Sequence, residues 1–423
     1  MAAQAGRRAV LFGAAGLAAG AAAGIAGTTA AARGAEAGSA ARAAARLDTT
    51  GANGARTLAF HGARQAGIDT PATAHIRYLG FDLAPGEEGG AASPDAVRRL
   101  LRLLSSDAAR LTVGTGALAD TEPELASAPA RLTVTFGFGP GLLDAVAPDR
   151  KPAWLRPLEA FGIDALGDAY GQTDLLVQLG CDDLMALSHA QRMLLKDARG
   201  LAVLRWVQEG FLRSYGGGAE GATPRNLFGQ VDGTANPSGE ALQQAVWGPA
   251  DGTGAWLPGG TSLVLRRIRM DLDAWDRVDR PGRDLALGRR QDTGAPLTGT
   301  REHDQPDLGA VDASGLPVIS ADSHVARARG AETILRRGYN YESAAAGVPE
   351  AGLLFASFQA DVDRQFLPIQ RRLAQADLLN EWTTPIGSAV YAIPPGCAEG
   401  GFVGDVLFAR DGAHAGFWLR PSG

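Results

Sequence analysis

Cysteine and lysine are almost missing from this chain. Its 423 residues include two cysteines, Cys181 and Cys397, too far apart in sequence to suggest a thiolate metal site or a disulfide framework. The lysines are Lys151 and Lys196, so arginine carries the positive charge, which we read as a mark of GC-rich coding rather than of function. Net charge is −6 and no basic face is evident, so nucleic acid is not an expected partner. The sequence has no His-Glu-x-x-His, no Gly-x-Ser-x-Gly elbow and no Gly-x-x-x-x-Gly-Lys loop, against a zinc hydrolase, a serine hydrolase and a P-loop enzyme respectively. Its six histidines show no metal-chelating spacing on one helix. The apolar run from Ala9 to about Ala26 is short and Gly-rich for a membrane span.

What is present describes a folded protein with a leader. Hydrophobic residues make up 45% and charged residues 20%, and the length suits two domains or one large duplicated domain. Arg7 and Arg8 precede the mildly apolar run, and small residues follow it. That is the layout of an export signal, with the paired arginines favouring the twin-arginine route, which carries folded proteins. We therefore expect a signal peptide and linker at 1–45, a disordered linker at 46–56, and no stable membrane insertion after signal removal. The mature protein would then be extracellular, periplasmic or associated with the cell envelope.

Periodicity predicts strands at 73–83, 131–139, 174–182, 260–272, 352–359 and 388–396, and helices at about 94–106, 189–207 and 363–380. Strands and helices mix without regular βαβ alternation, which implies an α+β fold with antiparallel sheets. Similar element content in the two halves makes a duplication plausible, with boundaries at 57–237 and 238–423.

The segment "NLFGQVDGTANP" (226–237) is too polar and Gly-rich for a helix or a central strand. It reads as a loop that holds Asp232 in a defined place, although an Asp-Gly turn alone would look the same. His324 lies in "DSHVARA" and Arg336-Arg337 in "ILRRGYNY". Separately these are an ordinary histidine and a surface pair near a strand end. Together with Asp232 they supply an imidazole, a carboxylate and a guanidinium. That is the set a haem peroxidase needs for an iron ligand, an acid–base group and a fixed cation.

Here the sequence resembles the dye-decolorizing peroxidases, in particular the exported bacterial group that includes the deferrochelatase-like proteins. The segments that carry the resemblance are "GARQAGIDTP", "LTVTFGFGPGLLD", "GQVDGTANP" with its Gly-x-x-Asp-Gly motif, "GRRQDTGAPLTG", "DSHVARA", "ILRRGYNY", "FQADVDRQFLPIQRRLAQADLLNEW" and "GSAVYAIPPG". Each is weak alone; their order over about residues 57–420 is specific. The resemblance implies two ferredoxin-like halves with peripheral helices, in a dimeric α+β-barrel-like arrangement, with haem b in the C-terminal half. It implies His324 as the proximal iron ligand, Asp232 as the distal acid–base group and Arg336, rather than Arg337, as the distal arginine. The backbone of Gly233, Thr234 and Ala235 would run close to the porphyrin. The family usually has a histidine where Arg64 stands and an arginine where Ala326 stands, so Arg327 or Arg289 would serve the haem propionates. Asp377 and Glu381 are both candidates to orient His324, and Trp382, Tyr391, Tyr339 and Tyr341 to carry electrons, with core packing the plain alternative. The implied activity is reduction of hydrogen peroxide with oxidation of phenols or dyes. Iron release from haem and non-enzymatic haem binding are the alternatives, and a homo-oligomer is compatible. A carboxylate in the acid–base role implies an acidic optimum, because aspartates ionise near about 4.

Overall fold

The computed structural model describes residues 53–408 apart from 87–88, 220, 249–255 and 345–348. The expected export signal and most of the expected linker lie outside the described residues. Residues 53–56 of that linker hydrogen-bond to the fold: Ala130 N–H donates to Gly54 O and Arg131 N–H to Arg56 O. Among the described residues no helix is long and apolar enough to cross a membrane.

Among the described residues there are eight strands, most of them separated by helices. They are β1 (His75–Leu83), β2 (Thr133–Phe138), β3 (Leu175–Cys181), β4 (Ala202–Phe211), β5 (Thr261–Met270), β6 (Leu335–Ser343), β7 (Glu350–Gln359) and β8 (Thr383–Ile393). All pairs are antiparallel, and the order around the closed barrel is β1-β3-β2-β8-β5-β7-β6-β4. Cut at its two seams, the barrel gives 4-1-3-2 for the first four strands and 8-5-7-6 for the last four. Renumbered from β5, the second set is again 4-1-3-2, the ferredoxin-like order. The fold is thus the α+β arrangement of two like halves. The seams are thin: one residue pair joins β2 to β8 (Phe138 with Ala392), and one joins β4 to β6 (Phe211 with Asn340).

Strand alternation sorts side chains between the barrel interior and the outer face. Ile76, Tyr78, Leu176, Leu263, Leu265, Tyr339, Leu354, Ala356 and Tyr391 come from strands of both halves and form one buried cluster, so they fill the interior. The outward residues Phe136, Val177 and Leu179 pack under α1 (Pro94–Leu111) and α2 (Leu184–Asp197) through Leu100, Leu104, Leu187 and Leu194. The second half covers its outer face with a longer crossover that includes α3 (Arg280–Leu287) and α4 (His324–Ala328), and with α5 (Leu367–Ala376) after β7.

The helix expected at 189–207 is corrected by the structure: α2 runs from Leu184 to Asp197, and Ala202–Phe211 is strand β4. Gly200, at φ 74° in the left-handed region, stops the helix, and from Trp206 onward the buried residues alternate. The apolar content of "LAVLRWV" obscured that change of period.

Two outcomes follow from this packing. A Cβ at Gly80 would lie 2.4 Å from the buried ring of Trp206, whose Nε1 is held by Gly171 O at 3.0 Å. Gly80→Ala is expected to lower stability by about 1–3 kcal/mol, and part of that loss should return in Gly80→Ala/Trp206→Leu, read from denaturant midpoints. A Gly80→Ala protein of wild-type stability would mean that the ring is not fixed. Separately, Asp197 is pushed up to about 7 by burial and by the neighbouring Asp107 carboxyl, and its Oδ2 is buried without a partner. The unfolded chain ionises this group near about 4, whereas the fold keeps it protonated to about 7. Stability is therefore lost as pH rises across that window. Asp197→Asn should flatten the dependence of melting temperature on pH there; an unchanged slope would contradict the assignment.

Candidate active site

The Gly-x-x-Asp-Gly loop folds back on itself through a bridge between Arg225 and Val231. Gly229 and Gly233 sit at φ 77° and 130°, conformations that side-chain-bearing residues rarely adopt. Asp232 N–H donates to Pro224 O at 2.8 Å, and Asn236 N–H to Gly233 O at 2.9 Å. Thr223 and Thr234 both donate to Glu302 Oε1, at 2.6 and 2.9 Å. Burial tends to raise the Glu302 pKa, but these two hydroxyls outweigh it and hold the carboxyl below its ordinary range. Glu302 therefore clamps both ends of the loop as a carboxylate.

Strand β6 brings the arginine to this loop. Neighbouring residues on a strand point to opposite faces, so Arg336 and Arg337 cannot share a site. Arg337 Nη1 donates to Ile68 O at 3.0 Å and to Thr70 O. Arg336 lies on the other face, with Nη1 3.5 Å from Asp232 Oδ1. The link is enforced by the backbone: Arg336 N–H donates to Asn236 Oδ1 at 3.0 Å, and Asn236 Nδ2 donates to Arg336 O at 2.7 Å. The Asp232 and Arg336 side chains each remain about a quarter exposed (24 and 25%), so both are open to a ligand. On the same face, β6 and β7 set Arg336 opposite Ser357, Gly338 opposite Phe355 and Asn340 opposite Leu353.

His324 opens α4, where Ser323 Oγ caps the helix by accepting from Ala326 N–H. Its Nδ1 lies 2.6 Å from Asp377 Oδ2. Asp377 sits where α5 ends, buried, and its Oδ1 accepts from Leu379 N–H at 3.0 Å. Leu378 N–H donates to Asp322 O at 2.9 Å, binding the two segments together. Between the two candidates for this role, Asp377 is the residue bonded to the ring, and Glu381 is exposed. Burial tends to lower the His324 pKa, but the Asp377 carboxylate outweighs it and the net shift is upward. The charges of Arg336 and Asp232 also act on this ring, which places the three groups in one electrostatic neighbourhood.

The remaining predicted residues divide. Arg289 Nη1 donates to Gly294 O and Glu302 O at 2.8 and 2.7 Å. Burial lowers its pKa, Glu302 opposes and Arg336 adds to the fall, so Arg289 belongs to the same cluster of charges. Arg327 pairs with Asp322, next to His324. Gly233 and Ala235 lie in the loop, whereas the Thr234 hydroxyl is turned to Glu302. Tyr339, Tyr341 and Tyr391 are buried in the barrel interior, and Trp382 packs edge-on against Trp275 with ring centroids 5.0 Å apart. Sequence reasoning missed Glu302 as the loop clamp, Asn226 beside Asp232, and the hydrogen bonds of Asn236. Only Asn236 left a signal, as the Asn-Pro step closing the loop.

The chain matches the family description "Dyp-type peroxidase, N-terminal" over residues 65–212 and "Dyp-type peroxidase, C-terminal" over residues 223–398. It is 38% identical over 363 residues to a dye-decolorizing peroxidase of Thermobifida fusca, covering 82% of this chain and 84% of that one. It is 35% identical over 366 residues to a deferrochelatase of Escherichia coli, covering 80% and 84%. A crystal structure of a DyP-type peroxidase from Cellulomonas bogoriensis superposes with a TM-score of 0.80 at 50% identity, over 85% of this chain and 99% of that chain. Fold, paired carboxylate and guanidinium, carboxylate-bound imidazole and sequence likeness agree: this chain belongs to the Dyp-type peroxidase family.

Proposed function

We propose that the protein is a haem b peroxidase in which Asp232 and Arg336 activate hydrogen peroxide and phenols or dyes supply the electrons. The observation that carries this reading is the Asp232–Arg336 pair held by Asn236 beside the His324–Asp377 pair. The residues fit a haem. His324 commits Nδ1 to Asp377, which leaves Nε2 as the metal-binding nitrogen and makes it more basic. Opposite Phe355, Gly338 offers no side chain, so the strand face is flat there. A Cβ at Gly338 would already meet Leu353 Cδ1 at 3.2 Å. Arg289, in the charge cluster of Glu302 and Arg336, and Arg327, three residues after His324, would hold the propionates.

The haem would supply the redox chemistry that cleaves the O–O bond. Asp232, as a carboxylate, takes the proton from one peroxide oxygen and returns it to the other, which leaves as water. Arg336 stabilises negative charge while the bond breaks. Pro224 O and Asn236 keep the carboxylate and the guanidinium in register, so neither has to reorganise during the reaction. Asp377 fixes the ring orientation and tautomer of His324.

Because the E. coli relative is named a deferrochelatase, release of iron from intact porphyrin is the reading to separate from this one. Metal-free porphyrin fluoresces, so its appearance during turnover would favour that reaction. The paired arginines at 7 and 8 support export by the twin-arginine route; replacing both with lysine should retain the protein in the cytoplasm.

Asp232→Asn is expected to keep the haem absorption spectrum and to lower kcat/KM for hydrogen peroxide by about 10²–10⁴-fold, measured in steady state with a phenolic donor. Wild-type turnover in that variant would refute the assignment. Asp377→Asn should weaken haem affinity by about 10–100-fold, read by titrating haem into the apoprotein and following the Soret band. Unchanged affinity would make Asp377 a helix cap alone.

A further inference from the structure

The Asp232 loop is seated on the segment 289–302 at three points. Arg225 donates from Nη1 to Gln291 O and from Nη2 to Asp292 O, both at 2.6 Å. Gly294, at φ 73°, is pressed between the loop and Glu302: a Cβ there would lie 3.1 Å from Val231 Cβ and 3.2 Å from Glu302 Cγ. Val231 is the residue before Asp232. The third point is the Glu302 side chain, whose Oε1 accepts from both Thr223 and Thr234. Glu302 is itself anchored, because Arg289 Nη1 donates to its backbone O at 2.7 Å. The charged groups facing its carboxylate are Arg289 and His303, with His303 Nε2 3.9 Å from Oε1.

We propose that Glu302 is a positioning residue for the acid–base step, and that its ionised oxygen sets where Asp232 stands relative to Arg336. The proposal rests on the peroxidase reading and deepens it. Thr223 precedes Asp232 and Thr234 follows it, and both hydroxyls turn to one oxygen atom. That single atom fixes the two flanks of Asp232 against each other. A hydroxyl donating to a carboxylate makes a bond roughly twice as strong as one to a neutral acceptor. The loop is thus held from two sides, by Asn236 to β6 and by Glu302 to the segment 289–302, with Asp232 between them. Moving a proton from one peroxide oxygen to the other needs a carboxylate already in place, and a displacement of about 1 Å can cost about 10²-fold in rate. Glu302 moves no proton itself; it acts through Asp232.

The test is a double-mutant cycle on the haem-loaded protein, with hydrogen peroxide varied at a fixed phenolic donor. Glu302→Ala should lower kcat/KM for hydrogen peroxide by about 10²-fold, with the Soret band unchanged. Glu302→Gln keeps an acceptor oxygen in the same place and should lose only about threefold. In an Asp232→Asn background, Glu302→Ala should lower the rate no further, because no carboxylate remains to be positioned. A residue that merely supports the fold would instead lower both backgrounds by the same factor. Hydrogen exchange gives a readout independent of turnover: the Asp232 and Asn236 amides should exchange faster in Glu302→Ala and at the wild-type rate in Glu302→Gln. Wild-type turnover in Glu302→Ala would overturn the proposal, and so would losses that add to that of Asp232→Asn. Unchanged amide exchange would do the same. If Glu302→Ala does not fold, Thr234→Val takes its place in the cycle and in the exchange measurement, with the same outcomes. Failure of the peroxidase reading looks different. Asp232→Asn would then turn over like wild type, which overturns both, whereas full turnover in Glu302→Ala beside an impaired Asp232→Asn overturns this inference alone.

Discussion

The two hydrogen bonds between the Asn236 side chain and the Arg336 backbone join a loop that ends before the second half of the barrel to a strand a hundred residues later. They hold the end of the Gly-x-x-Asp-Gly loop to β6, while Asn340 Nδ2 on the same strand holds its start through Arg225 O. With them the Asp232 carboxylate and the Arg336 guanidinium meet at 3.5 Å with neither fully buried. The pair is polar, part-exposed and therefore worth little as a stability device. Its value is positional: proton transfer and charge stabilisation both need groups that are already in place.

The duplicated barrel explains why the site lies on one half. The first half covers its outer strand face with α1 and α2 and a dense apolar layer. In the second half the corresponding crossover is long and irregular and carries His324. The outer face of β6 and β7 carries Arg336, Gly338 and Asn340 opposite Ser357, Phe355 and Leu353, with no side chain at its centre on β6. Asp377, at the end of α5, reaches His324 because the Leu378–Asp322 hydrogen bond brings the two chain segments together. Each half thus contributes differently to one closed sheet: one carries the dense apolar layer, the other carries Arg336, His324 and Asp377.

Much of this was legible in the sequence, and the failures have physical causes. Strand segments such as "LTVTFGFG" alternate cleanly, and the loop around Asp232 announced itself through glycines at 229 and 233. Strand alternation alone separates Arg336 from Arg337 once β6 is recognised. The 189–207 helix was misread because both faces of β4 carry apolar residues and only Gly200 marks the break. Glu302 was invisible because its partners, Thr223 and Thr234, come from a distant part of the chain.

The most direct test of the central claim is a crystal structure of the haem-loaded protein. The account predicts iron bonded to Nε2 of His324, with Asp377 still on Nδ1 and with Asp232 and Arg336 over the opposite haem face. Iron held by another residue would contradict it, and so would a haem with Asp232 and Arg336 on the same side as His324.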